Sequence, residues 1–213
     1  MQEPKQAPQS PVSEPPGLRP LLHEHFVAQA RRTPEQVALI EGGESILFGE
    51  LADRAASVSR GLQSAGIGPG ASVGLHLERS IDWVVALLAI LRSNATVVPL
   101  PPSYPVERLQ ELLSFAALDG VVDGAASPLR ARTTTPVMHF EEMQADAGDA
   151  APPAPGDPDQ AAFVLASSGS TGTPKLIVRS HRSFFHRLEW TWNENPYAAG
   201  EVCCQKAHVT TTH

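Results

Sequence analysis

Between Val37 and Ala117, short β-type runs alternate with helix-period stretches, and this alternation restricts the chain more than any other feature of its sequence. Residues 37–40 and 45–48, separated by Glu-Gly-Gly-Glu, predict a hairpin. Residues 50–65 place Leu51, Ala55, Val58 and Leu62 on one helical stripe, which the glycines at 66, 68 and 70 then terminate. Residues 72–77 predict a strand. Residues 81–92 are apolar nearly all round, so they predict a helix buried on several sides. A third strand is expected over 96–100, and Pro105 suits the start of a helix over 106–117. Strands and helices of these lengths imply parallel pairing through right-handed crossovers, hence an α/β fold with a mostly parallel sheet flanked by helices.

The flanks differ in composition. Residues 1–20 are rich in Pro and Gln, and read as a disordered leader or linker. Residues 141–160 are acidic and Pro-rich without periodicity, and read as a surface loop within the unit that spans 21–213. Sixteen Lys and Arg against 23 Asp and Glu leave a net charge of −7, which argues against nucleic acid or an anionic membrane as the main partner. The longest apolar run, residues 83–91, falls well short of the ~18 residues a membrane-spanning helix requires. No secretory h-region is found, and the two cysteines, Cys203 and Cys204, are adjacent; a disulfide framework is excluded and a cytoplasmic setting is expected. No Cys-x-x-Cys and no His pair at i, i+4 occurs, so a structural metal site is not expected.

The chemistry concentrates in residues 161–180, AAFVLASSGSTGTPKLIVRS. An apolar run leads into Ser167-Ser168-Gly169-Ser170-Thr171-Gly172-Thr173, then Pro174-Lys175, then a second apolar run. The physical reading is strand, hydroxyl-rich glycine loop, strand. Gly169 and Gly172 permit a close backbone approach to a ligand. Successive N–H groups in such a turn form an anion-binding nest, Ser168, Ser170 and Thr171 add hydroxyl donors, and Lys175 supplies positive charge. By composition alone, such a loop reads first as an ordinary turn. The spacing from Gly169 to Lys175 also departs from Gly-x4-Gly-Lys-Ser/Thr, and no helix follows the lysine directly, so a generic nucleoside triphosphatase is unsupported.

A second block shifts the balance. SSGSTGTPK at 167–175 resembles the phosphate-binding signature of adenylate-forming enzymes: acyl-CoA synthetases, luciferases and the adenylation domains of nonribosomal peptide synthetases. VPLPPSYPVERL at 98–109 is similar to the second core motif of those adenylation domains. Arg32-Thr33-Pro34-Glu35-Gln36-Val37-Ala38-Leu39 and Leu47-Phe48-Gly49-Glu50-Leu51 are similar to the family's opening, and residues 201–213 resemble the strand leading into its acyl pocket. The resemblance runs colinearly over residues 21–213 and is closest to the peptide-synthetase branch.

The resemblance implies the N-terminal subdomains of the adenylate-forming fold, incomplete at the C-terminus, with the catalytic lysine and lid expected downstream. It implies ATP-dependent activation of a carboxylic acid as an acyl-adenylate with release of pyrophosphate. The acyl group then passes to a thiol, either the phosphopantetheine of a carrier-protein domain or coenzyme A. Residues 167–173 and Lys175 would hold the ATP phosphates, with Thr171 beside an ATP-bound Mg²⁺. Thr212 falls where α-amino-acid-activating members carry an Asp, and His213 falls there if the alignment slips by one, so both are expected near the acid substrate. The sequence departs from the family's pattern at Leu176 (usually Gly), Asn94-Ala95 (Gly-Gly or Gly-Ala) and Pro101 (Asp). By itself the chain is expected to be an inactive fragment; the alternative is a non-catalytic scaffold or interaction module.

Three further groups carry readings. One of Cys203 and Cys204 is expected to pack in a buried strand. His181 and His186, among Arg179, Arg182 and Arg187, form either a solvated helix face or a cationic rim near the phosphate loop. Trp83, Trp190 and Trp192 are expected in the core or at subdomain contacts.

Overall fold

The computed structural model of the chain describes residues 21–125, 127, 129–145, 155–167, 175–198 and 200–206. Its frame is a six-stranded sheet in the order β6-β5-β3-β4-β7-β8, together with a separate two-stranded hairpin. The hairpin pairs β1 (Val37–Glu41) with β2 (Glu44–Leu47), as the sequence predicts. The expected leader at 1–20 lies outside the described residues.

Helix α2 (Phe48–Ser64) buries the predicted stripe: Leu51, Ala55, Val58 and Leu62 are all at most 2% exposed. It ends in a Schellman motif, with Gly66 left-handed at φ 85° and Ile67 N–H donating to Leu62 O at 2.9 Å. Next comes β3 (Ser72–His76), then α3 (Ile81–Arg92), whose Ser80 hydroxyl caps it by accepting from Trp83 N–H at 3.1 Å. No residue of α3 is exposed, because α2 covers one side and the sheet the other. β4 (Thr96–Pro99), α4 (Val106–Phe115) and β5 (Gly120–Asp123) follow, with Pro105 at the N-cap of α4. β6 (Val137–His139) lies parallel to β5, as β5 does to β3 and β3 to β4.

Both faces of this parallel sheet are covered, and the period of two shows it. Val97 and Val122 pack toward α2 and α3, whereas their neighbours Val98 and Val121 pack toward α4 with Leu109, Leu112 and Leu113. The expectation of a surface loop from residue 141 needs correction at its start. Helix α5 (Phe140–Ala145) docks on α2, with Phe140 at 1% and Met143 at 6% exposure. Gly61 allows that approach: a Cβ there would stand 2.8 Å from Met143 Cβ.

The last two strands break the parallel pattern. β7 (Ala161–Ser167) runs parallel beside β4, and β8 (Lys175–Ser180) returns antiparallel to it. Helix α6 (His181–Glu194) follows and packs on α1 (Leu22–Arg32) and on β7, where Phe184 stacks against Phe163 at 4.8 Å.

Candidate functional site

The hydroxyl-rich stretch is bounded as the sequence predicts, by strand on each side. Ser167 and Lys175 are ladder partners, so residues 168–174 connect two antiparallel strands at their pairing end. Because β7 is parallel to β4, this connection leaves from the carboxyl edge of the parallel sheet, the edge at which open α/β sheets bind ligands. Lys175 is exposed beside it. Ser168, Gly169, Ser170, Thr171, Gly172 and Thr173 lie outside the described residues, as do Thr212 and His213.

The segment leading toward Thr212 nevertheless reaches the same edge. Arg79, just past β3, donates from Nη1 to Gln205 O at 2.9 Å. No motif in the sequence singles out Arg79. Its one signal is a cation directly between a strand end and a Ser N-cap, a position that must project from the carboxyl edge. Beside it a cavity of about 310 Å³ opens between the ends of β3 and β4, lined by Leu77, Arg79, Trp83, Pro101 and Pro102. Pro101, standing where the resembling family carries Asp, therefore contributes an apolar wall here.

Several expectations are overturned. Residues 201–206 form no strand, and Cys203 and Cys204 are both exposed rather than one being packed. His181 is no part of a cationic rim: it is 1% exposed, and its Nδ1 accepts from Leu22 N–H at 3.2 Å. Burial pushes its pKa down to about 4, so it is neutral at pH 7. Arg182 is held in a two-pronged pair with Asp159, at 2.5 and 2.9 Å, and this guanidinium holds the Asp159 carboxyl below the usual carboxylate range. His186 and Arg187 are exposed on α6. Trp83 is core, as expected, and Trp190 and Trp192, at 58% and 39% exposure, stand where the expected subdomain contact could form. Among the described residues no three His, Cys, Asp or Glu side chains converge on one point, and no helix is long and apolar enough to cross a membrane.

A colinear signature and a parallel α/β frame with a strand–loop–strand unit at its carboxyl edge define a class. The family model for AMP-binding enzymes matches residues 26–210, and the chain belongs to that family. Among curated relatives it is 32% identical over 188 residues to tyrocidine synthase 2 of Brevibacillus parabrevis, covering 86% of this chain and 5% of that one. It is 37% identical over 185 residues to the AMB antimetabolite synthetase AmbB of Pseudomonas aeruginosa, covering 86% of this chain and 15% of that one. Among solved structures it superposes on the AMPPNP-bound nonribosomal peptide synthetase FmoA3 with a TM-score of 0.72 and 29% identity, over 82% of this chain and 19% of the other. The Klebsiella oxytoca NpsA N-terminal subdomain, in complex with 3-hydroxybenzoyl-AMSN, gives a TM-score of 0.70 at 25% identity, over 77% of this chain and 42% of that one. The chain thus spans a minor part of each of these relatives. Its resemblance is to the N-terminal subdomain of peptide-synthetase adenylation domains.

Proposed function

We propose that this chain supplies the phosphate-gripping part of an enzyme that activates a carboxylic acid with ATP. The substrate carboxylate would attack the α-phosphorus in line, giving an acyl-adenylate and pyrophosphate, and catalysis would rest on positioning and on neutralising the departing charge. Residues 167–173 would surround the β- and γ-phosphates with N–H and hydroxyl donors, and Lys175 would bring positive charge to them. Thr171 would stand beside an ATP-bound Mg²⁺, whose positive charge would offset further phosphate charge. The acid would sit toward Thr212 and His213; a neutral threonine cannot supply the negative charge that an Asp offers a substrate ammonium, which favours an acid other than an ordinary α-amino acid. The acceptor would be a carrier-protein or coenzyme A thiol. Turnover is expected to require segments beyond those present here, so residues 1–213 alone should show little ATP–pyrophosphate exchange.

The observation that carries this reading is the Ser167–Lys175 ladder pair, which closes the glycine loop at the carboxyl edge. Calorimetric titration with AMPPNP and Mg²⁺ tests it. Binding should weaken at least tenfold in Lys175→Ala, whereas an unchanged affinity in that variant would remove the role given to the lysine. A polypeptide that joins this chain to the remaining family segments should catalyse ATP–pyrophosphate exchange with some member of a carboxylic-acid panel. If such a polypeptide is folded but inert, the scaffold alternative stands instead.

A further inference from the structure

A second cavity, of about 320 Å³, lies on the carboxyl edge between β3 and β5, separated from the β7–β8 unit by β4. Its size falls within the range of small-molecule sites. Its place in the topology is also telling. From β3 the chain crosses to β4 on one side, and from β5 it crosses to β6 on the other, so the β3–β5 crevice is where the connections diverge.

The floor of the cavity is chemically one-sided. Asp123, which ends β5, is 1% exposed; its Oδ1 accepts from Gly124 N–H at 2.9 Å, and its Oδ2 has no hydrogen-bond partner among the described residues. Its ladder partner His76 is 7% exposed, with Nδ1 at 2.7 Å from Leu100 O. A carbonyl only accepts, so His76 Nδ1 carries a proton. Asp123 and His76 both line the cavity, and a buried carboxylate oxygen without a donor is costly to leave in that state. One wall is apolar or aromatic, from Tyr104, Val106 and Leu109, while Glu78, Gln110 and Ser127 add polar groups and Glu78 and Arg132 are exposed charges of opposite sign in the lining.

We propose that this cavity is a binding site for a small organic amine, its protonated nitrogen set against Asp123 Oδ2 and its apolar body against the α4 wall. The site is independent of the nucleotide reading, since it needs neither the glycine loop nor Lys175. The net charge of −7 favours a cationic ligand over an anionic one.

Calorimetric titration of the full chain with phenethylamine, and in parallel with 3-phenylpropionate, tests the proposal. The amine should saturate one site at millimolar concentration or below, and the similarly shaped anion should not. Asp123→Asn should weaken the amine at least tenfold. Val106→Trp, an exposed position on the first turn of α4, should fill the cavity and abolish binding while circular dichroism remains that of the parent, so the test survives if the Asp123 variant fails to fold. AMPPNP should leave the amine affinity unchanged. Absence of saturable binding, equal binding of the two probes, full affinity in either variant, or displacement by AMPPNP would each overturn the proposal.

Discussion

Asn94 and Ala117 are the non-glycine residues with positive φ among those described, at 55° and 44°. Asn94 completes a Schellman motif at the end of α3, with Asn94 N–H donating to Leu91 O at 3.0 Å and Ala95 N–H to Ile90 O at 3.2 Å. The departure from the Gly-Gly of the resembling family is thereby explained: asparagine is the residue that best stands in for glycine in this conformation. Ala117, exposed just past the C-cap of α4, has no such tolerance and bears the Cβ cost of a left-handed backbone. Ala117→Gly should accordingly raise unfolding stability by about 0.5–1 kcal/mol, read in urea melts monitored by circular dichroism. A loss of stability there would show that another contact holds the turn.

At the scale of elements, the α1–α6 contact is where titration bears on folding. His23 and His181 face one another with ring centroids 6.3 Å apart. Burial, first of all, pushes each pKa down to about 4, and for His23 the neighbouring His181 and Arg92 add to the effect. Since the folded values lie below the ordinary 6.5, the unfolded chain binds more protons between those limits, and stability falls as pH drops from 6.5 toward 4. Urea melts should show a loss of about 1–3 kcal/mol from pH 7 to pH 4.5. His23→Leu removes a buried Nδ1 that has no partner among the described residues; it should flatten that slope without loss at pH 7. An equally steep slope in the variant would assign the pH effect elsewhere.

Elements of this kind are unevenly legible in the sequence. The stripe of α2 and the continuous apolar run of α3 carry their own signal, because each is long enough for periodicity to speak. β5 and β6, four and three residues long, are too short for any period to register. α5 is hidden because Phe140 and Met143, which anchor it, border a Pro-rich acidic stretch that dominates any window placed over them. The burial of His181 is hidden for a related reason: the helix that covers it, α1, is distant along the chain, and its hydrogen bond to Leu22 spans 159 residues. The position of the glycine loop between two strands is plain from sequence, whereas the tie from Arg79 to Gln205 is a tertiary fact with no local trace.

For the whole molecule, the sheet combines two kinds of attachment. Within the β7–β8 pair the ladder runs from Ala161↔Ser180 to Ser167↔Lys175, and among the described residues β7 pairs with β4 at Val97↔Phe163, with the Thr96 hydroxyl donating to Ala161 O at 3.0 Å. Hydrogen exchange measured by mass spectrometry or NMR should therefore find the amides of β3 and β5 better protected than those of β7 that face β4. Uniform protection across the frame would contradict this. β7 is also held along its length, since Ala162 and Leu165 are buried and Val164 and Ala166 pack against the core on the α4 side. The two strands that flank residues 168–174 are thus tied to each other by six ladder pairs and to the frame by buried side chains, so both ends of that connection start from a fixed base.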